Sequence, residues 1–207
     1  MKNIYWLISC ALLLSLACKK EKTNDDPKED VIEINTSYGN MYVWLYKATP
    51  LHRDNFLKLA GEKYFDSTTF HRVIPGFMIQ GGDPNSRDSD PSNDGQGGPA
   101  YTIPAEIKQE IRHKRGVIAA ARTNNPQKAS SGSQFYISVS TSGTASLDDN
   151  YTVFGYVMKG MECADSIVKQ PRTSSTNRPI QNQYMQVRVI KKSLKEIKEE
   201  YGYEPEF

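Results

Sequence analysis

Apolar residues alternate with polar ones in short runs along most of this chain, and only three stretches repeat them at helical spacing. Residues 31–36 (VIEINT) and 41–46 (MYVWLY) flank Ser37-Tyr38-Gly39-Asn40, which predicts a hairpin turning on Gly-Asn. Thr49-Pro50 then offers an N-cap and a first-turn proline. Leu51, Asn55, Phe56, Leu59 and Ala60 follow at helical spacing, and Gly61 is a C-cap candidate, so a helix is predicted over 50–60. Short β-rich runs come next at 68–74, 77–80, 116–122, 134–140 and 152–157, separated by Gly, Pro and Asn. Many short strands with such punctuation predict a β-barrel or sandwich. Residues 86–99 and 123–133 are polar and read as loops, with Asp83 just ahead of the first as a turn residue. A second helix is predicted over 160–168, with Cys163 as a small buried side chain. Residues 184–190 alternate and read as a last strand. A charged helix over 193–200 would turn Leu194 and Ile197 inward, as a packed or solvated tail rather than a partner site.

The two ends differ from this body. Lys2 and the apolar run 4–17 read as a signal peptide, because the run is shorter than the roughly 20 residues that span a bilayer. Leu16-Ala17-Cys18 resembles a bacterial lipoprotein cleavage site, which would make Cys18 the lipidated first residue. Ser15 stands where such boxes carry Leu, and Leu7-Ile8-Ser9-Cys10 matches better but leaves too short an apolar core. An ordinary cleaved signal or an uncleaved anchor is the alternative. Residues 19–30 (KKEKTNDDPKED) mix both charges and lack aromatic or β-branched apolar residues, so they read as a solvated tether. The expected organisation is a signal peptide over 1–17, a tether over 18–30, one domain over 31–192 and a helical tail over 193–207. The destination is the cell envelope, by lipid anchor.

Composition narrows the partners. The 207 residues fit one domain with extensions, and a net charge of +2 is too small to suggest nucleic acid or a membrane-surface patch. Three cysteines without metal-ligand spacing and three histidines argue against a structural zinc site. If Cys18 is lipidated, Cys163 makes no intramolecular disulfide in the mature chain, and the core alone must hold the fold.

The chemistry concentrates in residues 70–83, FHRVIPGFMIQGGD. Arg72 stands among Phe, Ile and Met with no acidic neighbour before Asp83. Either it pairs with a distant carboxylate, or it is held at an apolar pocket to donate hydrogen bonds to a visiting group. His71 alternates to the other face of a strand and reads as structural. His52 and His113 sit in polar sequence and are expected to be exposed. Ser133 lies in Gly-Ser-Gln, which is not a nucleophile elbow.

FHRVIPGFMIQGGD, then Gly132-Ser133-Gln134-Phe135-Tyr136-Ile137, then Leu147-Asp148, then Tyr151-Thr152-Val153-Phe154-Gly155 together resemble the cyclophilins, which are peptidyl-prolyl cis–trans isomerases. The similarity covers residues 31–191. It implies a mainly β fold: a closed eight-stranded antiparallel β-barrel with a helix over each open end, here followed by a short C-terminal helix. It implies Arg72 as the catalytic arginine, Phe77 and Met78 in the proline pocket, and Gln80 against the peptide backbone. Gly95 matches a glycine at the edge of the site. Ala121, Arg122 and Thr123 match a strand end that pairs with substrate. Gln134, Tyr136 and Leu147 continue the wall, and Phe154 matches a barrel-side phenylalanine. Three positions depart. Tyr136 replaces a common Phe, Tyr151 stands where eukaryotic members carry a pocket His, and Ser146 stands where several carry a Trp that contacts cyclosporin.

The resemblance implies proline-containing segments of unfolded or exported proteins as partners. No cofactor, no metal and no nucleic acid are expected, the chain is expected to be a monomer, and the lipid anchor alone would bring it to the membrane. A peptide-binding or chaperone module with little turnover is the alternative.

Overall fold

In a computed structural model the chain is described over residues 26–206. The signal-peptide and Cys18 readings lie outside those residues. Strand β1 (Lys28–Thr36) and β2 (Gly39–Leu45) form the predicted hairpin, and helix α1 (Pro50–Gly61) follows. Next come β3 (Arg72–Ile74), β4 (Met78–Gly81), β5 (Thr102–Ile103), β6 (Val117–Ala120), β7 (Ser130–Ser131) and β8 (Phe135–Ser138). Then β9 (Val153–Lys159), helix α2 (Met161–Val168), β10 (Gln186–Ser193) and helix α3 (Leu194–Tyr201) complete the chain. Eight strands form one antiparallel sheet in the order β10-β1-β2-β9-β6-β8-β4-β3, and β5 pairs with β7 apart from it. The chain entering β3 also meets the chain entering β10. Phe70 N donates to Gln183 O at 2.9 Å and Met185 N to Thr68 O at 2.9 Å, around an antiparallel Thr69–Tyr184 bridge.

Alternation sorts the strands' side chains onto two faces. Ile79, Ile118, Ala120, Phe135 and Ile137 join one core with Phe56 and Leu59 of α1 and Ala164 and Ile167 of α2. Phe56 stacks on Phe65 (centroids 4.7 Å apart) and meets Phe135 edge-on at 5.3 Å. Their neighbours Met78, Val117, Ala119 and Tyr136 face the other way, into a second cluster with Trp44, Ile111 and Ile197. The functional cleft opens on this second face.

Several expectations are corrected by interactions between residues far apart in sequence. Thr49 stands at the N-cap of α1 as expected, but its hydroxyl bonds no helix N–H and donates to Tyr46 O. The Glu106 carboxylate accepts from Leu51 N at 3.1 Å and His52 N at 3.0 Å instead, placing negative charge at the helix N-terminus. Gly61 is the last helical residue, and Glu62 is the C-cap. The stretch 28–30, read as tether, is strand, because its charges are paired across β10 and beyond. Asp30 meets Lys191 at 2.6 Å and Glu29 meets Lys47 at 2.7 Å. β10 accordingly begins and ends later than residues 184–190. The polar stretch 123–133 contains β7, and β5 had no sequence signal beyond two residues.

In α3, Ile197 is fully buried while Leu194 is 47% exposed. Ile197 and Tyr201, four apart, set the inward stripe. Leu194 falls at its rim beside Trp44 and Lys198. Ser193 and Glu196 form a capping box, and Tyr201 stacks on Tyr42 at 4.8 Å. Tyr203, just beyond the helix, stacks on Tyr156 at 5.6 Å, so the tail lies packed on the sheet.

Candidate functional site

The β3–β4 hairpin carries the arginine. Pro75-Gly76 with Gly76 at φ +73° and Phe77 N donating to Ile74 O at 3.0 Å fits a type II turn, in which the second central residue needs positive φ. That turn fixes the register, so Arg72 lies opposite Gln80, Gln80 opposite Tyr136, and Tyr136 opposite Ala119. Four strands thus present one transverse row on one face, with Met78 one step along on the same side. Val73 and Ile79 alternate into the other core, and His71, 5% exposed, is buried on the side away from the cleft beneath Gly95. Burial pushes the His71 ring below the usual histidine range against the pull of Asp83 and Asp94.

A chain of amides holds the guanidinium. Arg72 Nη1 donates to Gln80 Oε1 at 3.2 Å, and Gln80 Nε2 donates to Gln134 Oε1 at 3.1 Å. Gln134 Nε2 donates in turn to the carbonyls of Gly97 (2.8 Å) and Gly95 (3.0 Å). Arg72 is half-buried and, among the described residues, forms no salt bridge, which leaves N–H donors facing the cleft. Asp83 anchors the loop that brings Gly95 here. It is fully buried, accepts from Asn85 N at 2.8 Å and from Gly95 N, and packs against Gly97, where a Cβ would lie 2.2 Å from its oxygen. The sequence reading of Asp83 as a turn residue missed this reach.

The cleft holds about 210 Å³ and is lined by Arg72, Phe77, Met78, Gln80, Ala121, Arg122, Tyr136, Leu147 and Tyr151. A second cleft of about 570 Å³ continues past Gln80, Ala121 and Arg122 to Gly95, Thr123 and Gln134. All twelve residues expected from the sequence to be catalytic or substrate-binding within the described chain therefore line one or other of two clefts that share Gln80, Ala121 and Arg122. Arg122 is held by its own contacts. It donates to Asn150 O (3.0 Å) and Thr123 O (3.1 Å), and its guanidinium carbon lies 4.7 Å from the Tyr151 ring centroid.

Two residues behind the wall were misread or missed. His52 and His113 are not exposed; they are 2% and 3% exposed, because each ring finds two distant partners. His52 Nδ1 lies 2.7 Å from Glu106 and Nε2 2.9 Å from Ser130 Oγ. His113 Nδ1 lies 2.8 Å from Asp148 Oδ1 and Nε2 2.9 Å from the Tyr136 hydroxyl. Burial pushes both imidazoles down, with the carboxylates pulling weakly the other way, so both are neutral at pH 7. For His113 that assigns Nδ1–H as donor to Asp148 and Nε2 as acceptor from Tyr136. Burial likewise pushes the Tyr136 phenol up. Local polarity of sequence carried no sign of these pairings.

The residues lining the first cleft include no carboxylate, thiol, imidazole or serine. A guanidinium on an apolar cleft with amides along its rim is the equipment of a protein that grips a ligand without breaking bonds in it. A family profile described as cyclophilin type peptidyl-prolyl cis-trans isomerase/CLD matches residues 31–190. A peptidyl-prolyl cis-trans isomerase of Acinetobacter baylyi is 36% identical over 172 residues, 81% of this chain and 86% of that one. The peptidyl-prolyl cis-trans isomerase-like 3 of Dictyostelium discoideum is 36% identical over 145 residues, 68% and 83% respectively. A crystal structure of a Cryptosporidium parvum cyclophilin in the presence of the dipeptide Ala-Pro superposes with a TM-score of 0.68 at 28% identity, covering 77% of this chain and 98% of that one. This chain belongs to the cyclophilin-type peptidyl-prolyl cis–trans isomerases and is an enzyme of that class.

Proposed function

We propose that the enzyme accelerates X–Pro rotation in exported or envelope proteins by non-covalent stabilisation of a twisted amide, with Arg72 as the catalytic donor. Amide resonance sets a barrier of about 18–20 kcal/mol. At its top the proline nitrogen is pyramidal and carries a lone pair. A donor aimed at that nitrogen favours the twisted form over either planar form, which is the differential binding catalysis requires. The observation that carries this reading is the Arg72 guanidinium, tethered through one bond to Gln80 and open to a cleft whose walls include Phe77, Met78 and Leu147.

Phe77, Met78, Tyr136, Leu147 and Tyr151 grip the proline ring. Gln80, Gln134, Gly95, Ala121, Arg122 and Thr123 hold the backbone on the other side of the rotating bond. One charge-assisted bond supplies roughly 1.5–3 kcal/mol, whereas a 10⁴-fold acceleration needs about 5.5 kcal/mol. Holding the backbone on one side of the bond while the other side rotates must supply the rest. The bonds between 68–70 and 183–185 support closure of the eight strands into a barrel, which leaves no bare sheet edge.

The envelope setting rests on the sequence of the first eighteen residues, with Cys18 as the lipidated cysteine and residues from 19 onward as its tether. Exchange NMR on a proline tetrapeptide tests the activity: cis and trans signals should coalesce with catalytic amounts of protein. Peptide binding without faster exchange would favour a docking module instead. Lipid labelling and fractionation of wild type against Cys18→Ser tests the anchor, and an equal label in both would refute it.

A further inference from the structure

The Asp148–His113–Tyr136 chain has no part in holding Arg72, yet it touches two walls of the cleft. Tyr136 is 5% exposed, and its hydroxyl is buried against the His113 ring. The Tyr136 and His113 rings are near parallel (13°) with centroids 6.1 Å apart, an arrangement that suits a hydrogen bond between their edges. His113 also clamps the segment bearing Leu147. Its backbone N donates to Asp148 Oδ1 at 2.8 Å, its ring donates to the same oxygen, and its carbonyl accepts from Thr144 N at 2.8 Å. Leu147 stands between those two attachment points. Arg112 Nη1 lies 3.8 Å from the other Asp148 oxygen, which holds the carboxylate facing the ring.

We propose that His113 is a positioning residue of the isomerase. Fixed by Asp148 in the tautomer that leaves Nε2 bare, it accepts the Tyr136 hydroxyl proton and ties the Tyr136 and Leu147 walls of the proline pocket into one rigid unit. A phenylalanine at 136 would need no such acceptor; the tyrosine makes the histidine part of the pocket. The Arg122 guanidinium over Tyr151, whose ring meets Tyr136 edge-on at 6.0 Å, braces the same wall from the other side. A pocket held this way binds the proline ring equally in the planar and twisted states, so its loosening raises KM more than it lowers kcat.

The inference rests on the isomerase reading, and two measurements separate the failures. Nitrogen shifts of His113 in labelled wild-type protein report the tautomer without any turnover. Nδ1 protonated and Nε2 bare at neutral pH is expected, and a protonated Nε2 overturns the proposal. Kinetics on His113→Leu, Tyr136→Phe and the double variant report the coupling. His113→Leu should lose about tenfold in kcat/KM, mostly through KM. The same change in the Tyr136→Phe background should cost only about threefold, because no hydroxyl is left without an acceptor. Equal losses in both backgrounds, or a loss carried by kcat, overturn the proposal. Should His113→Leu fail to fold, His113→Gln takes its place, with its amide oxygen restoring activity to within about threefold of wild type; a tenfold loss there overturns it. Wild type that does not accelerate exchange at all would sink the isomerase reading and leave the tautomer result standing.

Discussion

Replacing Arg72 by alanine removes a charged donor that faces the cleft, and the other guanidinium there, Arg122, is already bonded to Asn150 O and Thr123 O. The Arg72 guanidinium makes a single framework bond, to Gln80 at 3.2 Å, and no ion pair among the described residues. Its loss therefore costs the fold about 0.5–1.5 kcal/mol at most, a shift of roughly 1–6 °C in Tm for a chain of this size. The catalytic cost is larger. A hydrogen bond from a charged group is worth about 1.5–3 kcal/mol, which converts to a loss of roughly 10–150-fold in kcat/KM. Because the bond strengthens as the nitrogen pyramidalises, the loss should fall on kcat and not only on KM. Arg72→Lys should recover little, since one ammonium cannot hold the Gln80 oxygen and reach the nitrogen with the geometry of a planar fork. A protease-coupled or NMR exchange assay on a proline tetrapeptide, run beside circular dichroism, gives both numbers. Folded Arg72→Ala protein within threefold of wild type, or a loss confined to KM, would refute the twisted-amide role.

Three further outcomes follow from the packing. His52, His71 and His113 all have pKa values lowered by burial from 6.5. The unfolded chain therefore binds more protons just below pH 6.5, so stability is complete above that value and is lost as pH falls from it through the lowered folded values. Tm should drop between about pH 7.5 and pH 5.5, before the low-pKa carboxylates of Asp66 and Asp148 titrate, and a flat profile would refute neutral burial. Ile197→Ala should cost about 2–5 kcal/mol in a denaturant titration, because the side chain is fully buried between tail and sheet. A change under 1 kcal/mol would mean the tail does not pack in solution. Gly82→Ala should be severely destabilising, since its φ is +85° and the added Cβ would meet Ser133 O at 2.3 Å. An unchanged unfolding midpoint would show that this backbone can shift.

What could be read from the sequence had local causes. The Pro50 helix start, the Pro75-Gly76 turn and the alternation through 134–138 depend on residues within a few positions of one another, and the structure has an element at each. The row Arg72, Gln80 and Tyr136 was legible only as a motif. Its members are 8 and 56 positions apart, and the register that aligns them is set by a turn between the first two and a ladder to the third. The two misplaced histidines fail for one reason. His52 and His113 sit in polar sequence, and polar sequence predicts exposure unless a partner is known; Asp83 is the turn residue expected of it, but its reach to Gly95, like the Glu106 cap, has no local signal. Each partner arrives from another element: Glu106 lies 54 positions from His52, Asp148 35 from His113, and Gly95 12 from Asp83. Burying such groups is costly unless every donor and acceptor is met, so they survive only where the fold supplies both sides at once. The cleft shows the consequence. Its apolar lining could be guessed residue by residue, whereas the buried polar chains that hold Arg72 and Tyr136 in place exist only after β3, β4, β8 and the 144–151 segment have come together.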